Sequence, residues 1–347
     1  SLDSQRRTAL LQMGALDYLG DNWLFNLEVQ QFQTLADDIN EGYKKLPQLT
    51  GQYRAARTPF QVAPLFLAQY SNFDNDADLV TGQRLYTEAG AAYPMLWSYG
   101  YLTPTLKYRQ LNYDLSEGPF FEDDSPSAGA AMANLDGGLV FERNTSVAGR
   151  QLLQTLEPRL YYLYSEYEQQ TDQPDFDSAE LTFTYNQLFR ETRFSGRDRL
   201  DDANQISVGL TTQFIDMASG RSLFNASLGQ IFYFRDRKVR LLAIDEPLDE
   251  SSSEIAGGLS FQPHDAINVR TDLVYDPHSE RMNSGHFTAS YTPNNGSVFN
   301  LGYAFRRPLT TVVEQPVTEE AHASAYFPLD DNWRFFAAIN YSLEANT

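Results

Sequence analysis

Apolar and polar residues alternate with a period of two along most of this chain. Trp23, Phe25, Leu27 and Val29 fall on one face and Asn26, Glu28 and Gln30 on the other, with Leu24 the one exception. Ile206, Val208, Leu210 and Phe214 alternate with Gln205, Ser207, Gly209, Thr211 and Gln213. Ile267, Val269, Leu273 and Tyr275 alternate with Asn268, Arg270 and Asp272. The same spacing recurs at Phe299, Leu301, Tyr303 and Phe305, and at Trp333, Phe335, Ala337, Ile339, Tyr341 and Leu343. Each run predicts a β-strand with one apolar and one polar face. Further runs lie near 9–17, 46–54, 61–70, 84–93, 101–113, 135–142, 153–164, 179–186, 222–234, 254–262, 285–292 and 321–327. The expectation is about seventeen strands, each roughly ten residues long.

Turn formers separate the strands, as at Pro293–Gly296, Pro263–Asp265 and Leu329–Asn332. Several longer connections are acidic: Glu122, Asp123 and Asp124; Asp172, Asp175 and Asp177; Asp245 and Glu246 with Asp249 and Glu250. Two windows, 188–203 and 235–252, carry mixed charge without alternation and are expected to be either structured loops or loops shortened where disordered residues are missing.

A soluble sandwich or propeller would bury the apolar faces, whereas an outer-membrane barrel would turn them to lipid. Strands of about ten residues match a tilted membrane span better than soluble strands, which average five or six. Aromatic residues cluster at strand ends, at Tyr161, Tyr162 and Tyr164, at Phe232, Tyr233 and Phe234, and at Trp333, as interfacial girdles require. A dry core would not tolerate so many polar inward positions, and no repeat of propeller length is visible. The expected class is therefore all-β, a large transmembrane antiparallel barrel of the outer-membrane type. Residues 1–347 are expected to form one such domain.

Composition narrows the function. With 26 Lys and Arg against 46 Asp and Glu, the net charge of −20 disfavours nucleic acid as a partner. The absence of Cys removes disulfides, thiolate metal sites and a thiol nucleophile. An aromatic content of 14% is too rich for a disordered acidic chain. The longest uncharged run, Ala89 to Leu106, holds Pro94 and Pro104 and cannot be a spanning helix. The chain opens Ser-Leu-Asp-Ser without an apolar leader and is expected to be an internal fragment.

Chemistry on a substrate is not indicated. His264, His278, His286 and His322 stand in no metal-binding spacing, and a Gly-x-Ser-x-Gly elbow is absent. Asp74, Asp76 and Asp78 resemble the start of a calcium loop, but Leu79 and Leu85 occupy the positions that need Gly and Glu. No catalytic residue, metal or cofactor is assigned. The charges of interest are those paired two apart on the polar faces. Lys107 with Arg109, Glu157 with Arg159, and Arg270 with Asp272 each share a face. An Arg on the lipid side costs roughly 2–4 kcal/mol at mid-depth, so these residues, with Gln205 and Asn268, are expected to face the lumen. They form either a hydrophilic conduit or ion pairs that brace the wall. A diffusion porin is the alternative that composition alone leaves open.

Several segments resemble one family. Gln154-Thr-Leu-Glu-Pro-Arg159, running on through Leu-Tyr-Tyr-Leu-Tyr164, is similar to a signature of the LptD (OstA/Imp) lipopolysaccharide-assembly family. So are Leu188-Phe-Arg190, Arg193-Phe-Ser-Gly-Arg-Asp-Arg199 and Asp202-Ala-Asn-Gln205. Leu139–Arg143, Gly229–Phe234 and the strand of Trp333 and Tyr341 follow in the family's order. The resemblance implies a Gram-negative outer-membrane barrel of about 26 strands, at the large end of such barrels. It further implies insertion of lipopolysaccharide into the outer leaflet through a polar lumen and lateral gate. The implied partners are lipopolysaccharide, outer-membrane lipids, a plug lipoprotein LptE and, through an N-terminal jellyroll, the periplasmic bridge protein LptA. The jellyroll, the full strand count and the family's adjacent Cys pair are not found in this sequence. The acidic loop Glu122, Asp123 and Asp124 is expected to bridge divalent cations to lipopolysaccharide phosphates. The charged loop with Arg193, Arg197, Asp198, Arg199, Asp201 and Asp202 is expected either to contact the plug lipoprotein or to brace itself.

Overall fold

The computed structural model describes residues 9–34, 42–55, 61–76, 79–116, 123–241, 247–307 and 317–343. Glu122, Asp78, Asp245 and Glu246, singled out above, lie outside the described residues. Eighteen strands form one antiparallel sheet among the described residues. The first six are β1 (Ala9–Leu19), β2 (Trp23–Thr34), β3 (Lys44–Arg54), β4 (Ala63–Asp74), β5 (Gly82–Ala92) and β6 (Met95–Trp97). Next come β7 (Gly100–Leu115), β8 (Ser127–Leu139), β9 (Phe141–Val147), β10 (Arg150–Ser165), β11 (Ala203–Asp216) and β12 (Ser222–Tyr233). The last six are β13 (Ile255–His264), β14 (Ile267–Asp276), β15 (Arg281–Tyr291), β16 (Val298–Arg306), β17 (Thr318–Pro328) and β18 (Arg334–Ser342).

The wall is a meander in which sequential strands pair, from β1 with β2 to β17 with β18. Short pieces interrupt it once on each side of β7–β8: β6 pairs only with β7, and β10 spans both β8 and β9. Alternation fails to resolve these pieces because β6 has three residues and a single residue, Val140, separates β8 from β9. The expected strand at 179–186 is corrected. That stretch is irregular apart from one bridge, Glu180 to Phe194, and it runs into a 3₁₀ turn at Tyr185–Phe189. Its alternating sequence finds no partner strand, because β10 and β11 pair directly with one another across it.

Connection lengths sort by end. One end of the wall has turns such as 20–22, 148–149 and 265–266; the other carries 116–126, 166–202, 234–254 and 307–317. The 166–202 connection does not leave the wall. It lies on the inner face, and its residues touch β3, β5, β7, β11 and β16, through Lys45, Arg84, Lys107, Ser207 and Arg306. Contacts to strands so far apart in the meander require the sheet to curve around this segment. It is the inner filling of a barrel wall.

The two faces differ as alternation predicts, and one strand shows where the pattern changes. On β7, Leu106 and Tyr108 point outward and are 64% and 52% exposed, while Lys107 and Arg109 point inward. Further along, the polarity reverses: Gln110, Asn112 and Asp114 point outward, and Leu111, Tyr113 and Leu115 are buried inside. The strand thus runs past its apolar outer band and packs a small core against the inner segment. The expectation of polar inward faces is corrected at this end for β7, β8 and β10, where Ala128, Ala130, Met132, Tyr161 and Leu163 are also buried inside. On β10 the outward Tyr162 and Tyr164 stand exposed near the strand's end, where an aromatic girdle belongs.

Candidate functional site

The site is built where 166–202 meets the inner wall. Phe176 is the hydrophobic anchor. Its ring stacks on Phe73 of β4 at 4.4 Å between centroids and meets Tyr43 edge-on at 4.8 Å. Beside it lies a sealed polar cluster. Arg84 of β5 donates through Nη1 to Asp198 Oδ1 at 2.5 Å and to Asp177 Oδ1 at 2.6 Å. Asp198 also accepts from Tyr113 Oη at 2.9 Å, from the backbone N–H of Phe176 at 3.0 Å and of Asp177 at 2.8 Å, and from Ser178 Oγ at 3.2 Å. Lys45 adds a second cation 2.8 Å from Asp177. Buried carboxylates persist only with such partners. Gly196 turns the chain at φ +66°, where a Cβ would stand 2.6 Å from Asp177 O, so the Phe-Ser-Gly turn is fitted to glycine.

Burial pushes the Asp175 carboxyl up to about 6, and the nearby Asp198 charge adds to the effect. Burial would also raise Asp177, but Arg84 and Lys45 outweigh it and hold that carboxyl well below the usual carboxylate range.

A second knot ties both ends of the segment to the wall. Arg109 Nη2 donates to Ser165 Oγ at 2.6 Å and to Asp201 O at 3.1 Å, and Ser165 Oγ donates to the same carbonyl at 2.5 Å. Arg193 grips the Asp201 carboxylate through its backbone N–H at 2.6 Å and Nη2 at 2.7 Å. Burial opposes the Arg193 charge, and Asp201 with Asp202 more than restores it, so its pKa is raised. Asp202 accepts from the backbone N–H groups of Lys238 and Val239 at 3.1 and 3.0 Å. Arg199 binds four backbone carbonyls, those of Pro174, Asp198, Arg240 and Leu241. The 166–202 connection and the described residues 234–241 and 247–254 are thereby one inner body.

The expected lumen residues divide into two groups. Those on β7, β10 and β11 come together under the inner segment. Lys107 pairs with Glu88 and Glu191, each at 2.8 Å. Arg159 holds Asp136 through Nε at 2.8 Å and Nη2 at 2.7 Å, and its guanidinium lies 4.0 Å over the Phe189 ring. Glu157 accepts from Thr155 at 2.7 Å, and Gln205 is buried on the inner face. On β14, by contrast, Asn268, Arg270 and Asp272 lie away from these knots, with Arg270 Nε 3.1 Å from Asp272 Oδ2.

The six charged loop residues also divide. Asp198, Arg199, Asp201 and Asp202 are buried among the barrel's own groups. Arg193 keeps about a quarter of its side chain open, and Arg197 lies over the Tyr86 ring at 4.8 Å. Sequence reading missed Arg84, Tyr113 and Phe176. The available signal was the switch to inward apolar residues at Leu111, Tyr113 and Leu115, which predicts something covering that end of the inner face.

The chain's relatives decide the family. The family model described as "LPS transport system D", LptD, matches residues 2–333. The chain belongs to the LptD family. The LPS-assembly protein LptD of Pseudomonas aeruginosa LESB58 is 32% identical over 403 residues, covering 98% of this chain and 43% of that protein. The LptD proteins of Alkalilimnicola ehrlichii and Legionella pneumophila Lens are 33% and 32% identical, covering 96% and 100% of this chain and 44% and 45% of theirs. The chain thus spans less than half the length of these LptD relatives. Among solved structures, a mutant ferric enterobactin receptor of Pseudomonas aeruginosa superposes with a TM-score of 0.42 at 11% identity, covering 96% of this chain and 60% of that one.

Proposed function

We propose that this chain is a stretch of outer-membrane barrel wall through which lipopolysaccharide is delivered to the outer leaflet of a Gram-negative cell. The observation that carries the reading is the LptD match along nearly the whole chain, to relatives named LPS-assembly proteins. The geometry supplies a physical route. An outer face of exposed leucines and aromatics suits acyl chains, and an inner face of paired charges suits sugars. An amphiphile can cross such a wall with its two halves in different solvents, provided one seam opens, because a fully paired sheet offers no exit. The chain supplies positioning and a pathway, with no chemical step on the substrate. The long-loop end is the extracellular end, following the usual asymmetry of outer-membrane barrels. A free diffusion channel is disfavoured by the inner body of 166–202, 234–241 and 247–254, which occupies the space a porin leaves to water.

We assign residues 1–347 to a single barrel domain, with LptE as the lipoprotein partner inside it and LptA reached through a domain outside this chain. Of the six loop candidates, Arg197 keeps open surface and is assigned to direct LptE contact, while Arg193, held by Asp201, turns to the inner side of the loop. The four buried ones hold the loop in shape. Retention of LptE co-purification by Arg197→Ala in the full protein would reject the Arg197 contact.

Photocrosslinking in the full-length protein, in cells making lipopolysaccharide, tests the transport reading. Probes go at Asn268, facing inward, and Val269, facing outward. Lipopolysaccharide adducts at Asn268 with bulk phospholipid at Val269 are expected. Absence of lipopolysaccharide at Asn268, together with ion conductance of the purified protein, would restore the porin.

A further inference from the structure

A separate cavity of about 330 Å³ lies between the inner body and the inner faces of β14–β16. At roughly 30 Å³ per molecule it has room for about ten waters. Its wall inverts the charge of the chain. In a protein with a net charge of −20, six arginines reach this one space: Arg193, Arg237, Arg240, Arg281, Arg306 and Arg307.

Their counter-charges are incomplete. The charge of Arg193 is satisfied by Asp201 at 2.7 Å and Asp202 at 3.9 Å, but Arg237 has only Glu250 at 3.1 Å and Arg240 only Glu180 at a long 3.8 Å among the described residues. Arg306 donates to Thr182 Oγ1 at 3.4 Å, and Arg307 donates to Met282 O at 3.0 Å. Among the described residues, neither they nor Arg281 is in an ion pair. The two remaining carboxylates of the wall are engaged elsewhere. Asp276 caps its own turn at His278 N and Ser279 Oγ, and Glu254 accepts from Asn283.

Donors are left over in the interior. Arg193 Nη1, Arg237 Nε, and Arg240 Nε and Nη1 are buried with no acceptor, although the side chain of Arg237 is only 4% exposed. Buried donors without partners are costly. Burial lowers the pKa of Arg237, which Glu250 and Tyr233 do not offset, as expected of a cation short of negative charge.

We propose that this arginine-lined cavity receives a phosphoryl group on the saccharide part of lipopolysaccharide as it reaches the extracellular mouth. The proposal rests on the transport reading above and names the part of the substrate held here. A phosphomonoester offers three acceptor oxygens and close to two negative charges. That matches spare donors spread over several guanidinium groups better than a carboxylate with two oxygens. Guanidinium forks suit phosphate geometry, and low-dielectric walls strengthen each charge-assisted bond. The site lies at the ends of β14, β15 and β16 that carry Asp276, Arg281 and Arg306, the long-loop end. A weak hold at that point would keep the sugar from sliding back.

The test uses the full-length protein in cells, with photoprobes at Ser284 in the cavity wall and at Asn268 outside it. The combined Arg281→Gln, Arg306→Gln and Arg307→Gln substitution is expected to lower lipopolysaccharide adducts at Ser284 by about tenfold while leaving Asn268 within about twofold. The matching Lys replacements should keep most of the Ser284 signal. A second arm needs no substitution: in cells whose lipopolysaccharide core lacks its phosphates, the Ser284 signal should fall in the unmodified protein. An unchanged Ser284 signal in either arm overturns the proposal, as do adducts at Asn268 with none at Ser284. Adducts at Ser284 with phospholipid or protein assign the cavity to another occupant and overturn it too. Absence of lipopolysaccharide at both positions overturns the transport reading itself.

Discussion

Arg84 and Asp198 lie 114 residues apart in sequence and meet at 2.5 Å, both with fully buried side chains. This pair fastens the inner body to the wall. Arg84 stands on β5, a strand that the inner segment reaches only after passing β10, and its guanidinium lies over Phe73 at 4.8 Å. Removing one charge of a buried pair leaves the other uncompensated and costs roughly 3–5 kcal/mol. Arg84→Met is therefore expected to release 166–202 while the strands still form. Limited proteolysis of the folded barrel should cut within 166–202 in the variant and not in the parent. Equal protection in both would show that Phe176 and the Arg109 knot suffice.

Acid should act on the same cluster in two opposite ways. The Asp175 carboxyl is raised to about 6 in the fold, against an ordinary value of 3.8. The folded segment therefore binds that proton more tightly than the unfolded one does, and its stability falls as pH rises through the interval between them. Asp177 is lowered, so its contribution is present above the ordinary carboxylate range and is lost in stronger acid. A tenfold change in proton affinity is worth about 1.4 kcal/mol, and solvent screens part of that at a half-buried side chain. Asp175→Asn should accordingly stabilise the segment at pH 8 by about 1–2 kcal/mol. The gain should vanish below about pH 4. Hydrogen exchange of the 170–200 amides across pH reads both effects, and a gain that does not change with pH would refute the assignment to Asp175.

The wall's strands were legible because lipid outside and water inside impose opposite solvents on alternate residues. Legibility ended where that contrast ended. The first half of β8, Ser127 to Ala133, reads as small apolar residues on both faces, because Ala128, Ala130 and Met132 pack inward under cover. The 179–186 stretch alternates without being a strand, since alternation cannot say whether a neighbour is free to pair. The charged loop stood out, yet its partners could not be read. The inward apolar run around Tyr113 signals a cover but not its identity, Arg84 looks like an ordinary lumen position, and only the curvature of the sheet brings the two to Asp198.

Gly209 marks a tight approach of the inner body. A Cβ there would stand 2.6 Å from Phe189 Cζ and 2.7 Å from Tyr185 Oη. These are the far ends of two side chains on the 3₁₀ turn, which Ser207 also holds through Leu188 O. Gly209→Val is expected to push the turn off the wall and open a water path. The purified protein in planar bilayers should then conduct where the parent does not. Phe189→Ala in the same chain should lower that conductance again, because it clears most of the clash. Conductance insensitive to Phe189 would mean that β11 itself had been distorted.

The register of the wall makes a prediction on one strand. On β11, Leu210 points outward near mid-strand and is 45% exposed, whereas Gln213 shares the inward face of Thr211, which meets Tyr185 Oη at 3.1 Å. An Arg at the lipid midplane costs roughly 2–4 kcal/mol, and lumen substitutions mainly change selectivity. Leu210→Arg should therefore impair assembly, seen as loss of the heat-modifiable band on unboiled gels. Gln213→Arg should assemble normally and add one charge to the lumen. A one-residue slip would exchange the two results, because it turns every side chain of the strand to the other face. The comparison therefore checks which face meets lipid directly, without depending on what the barrel carries.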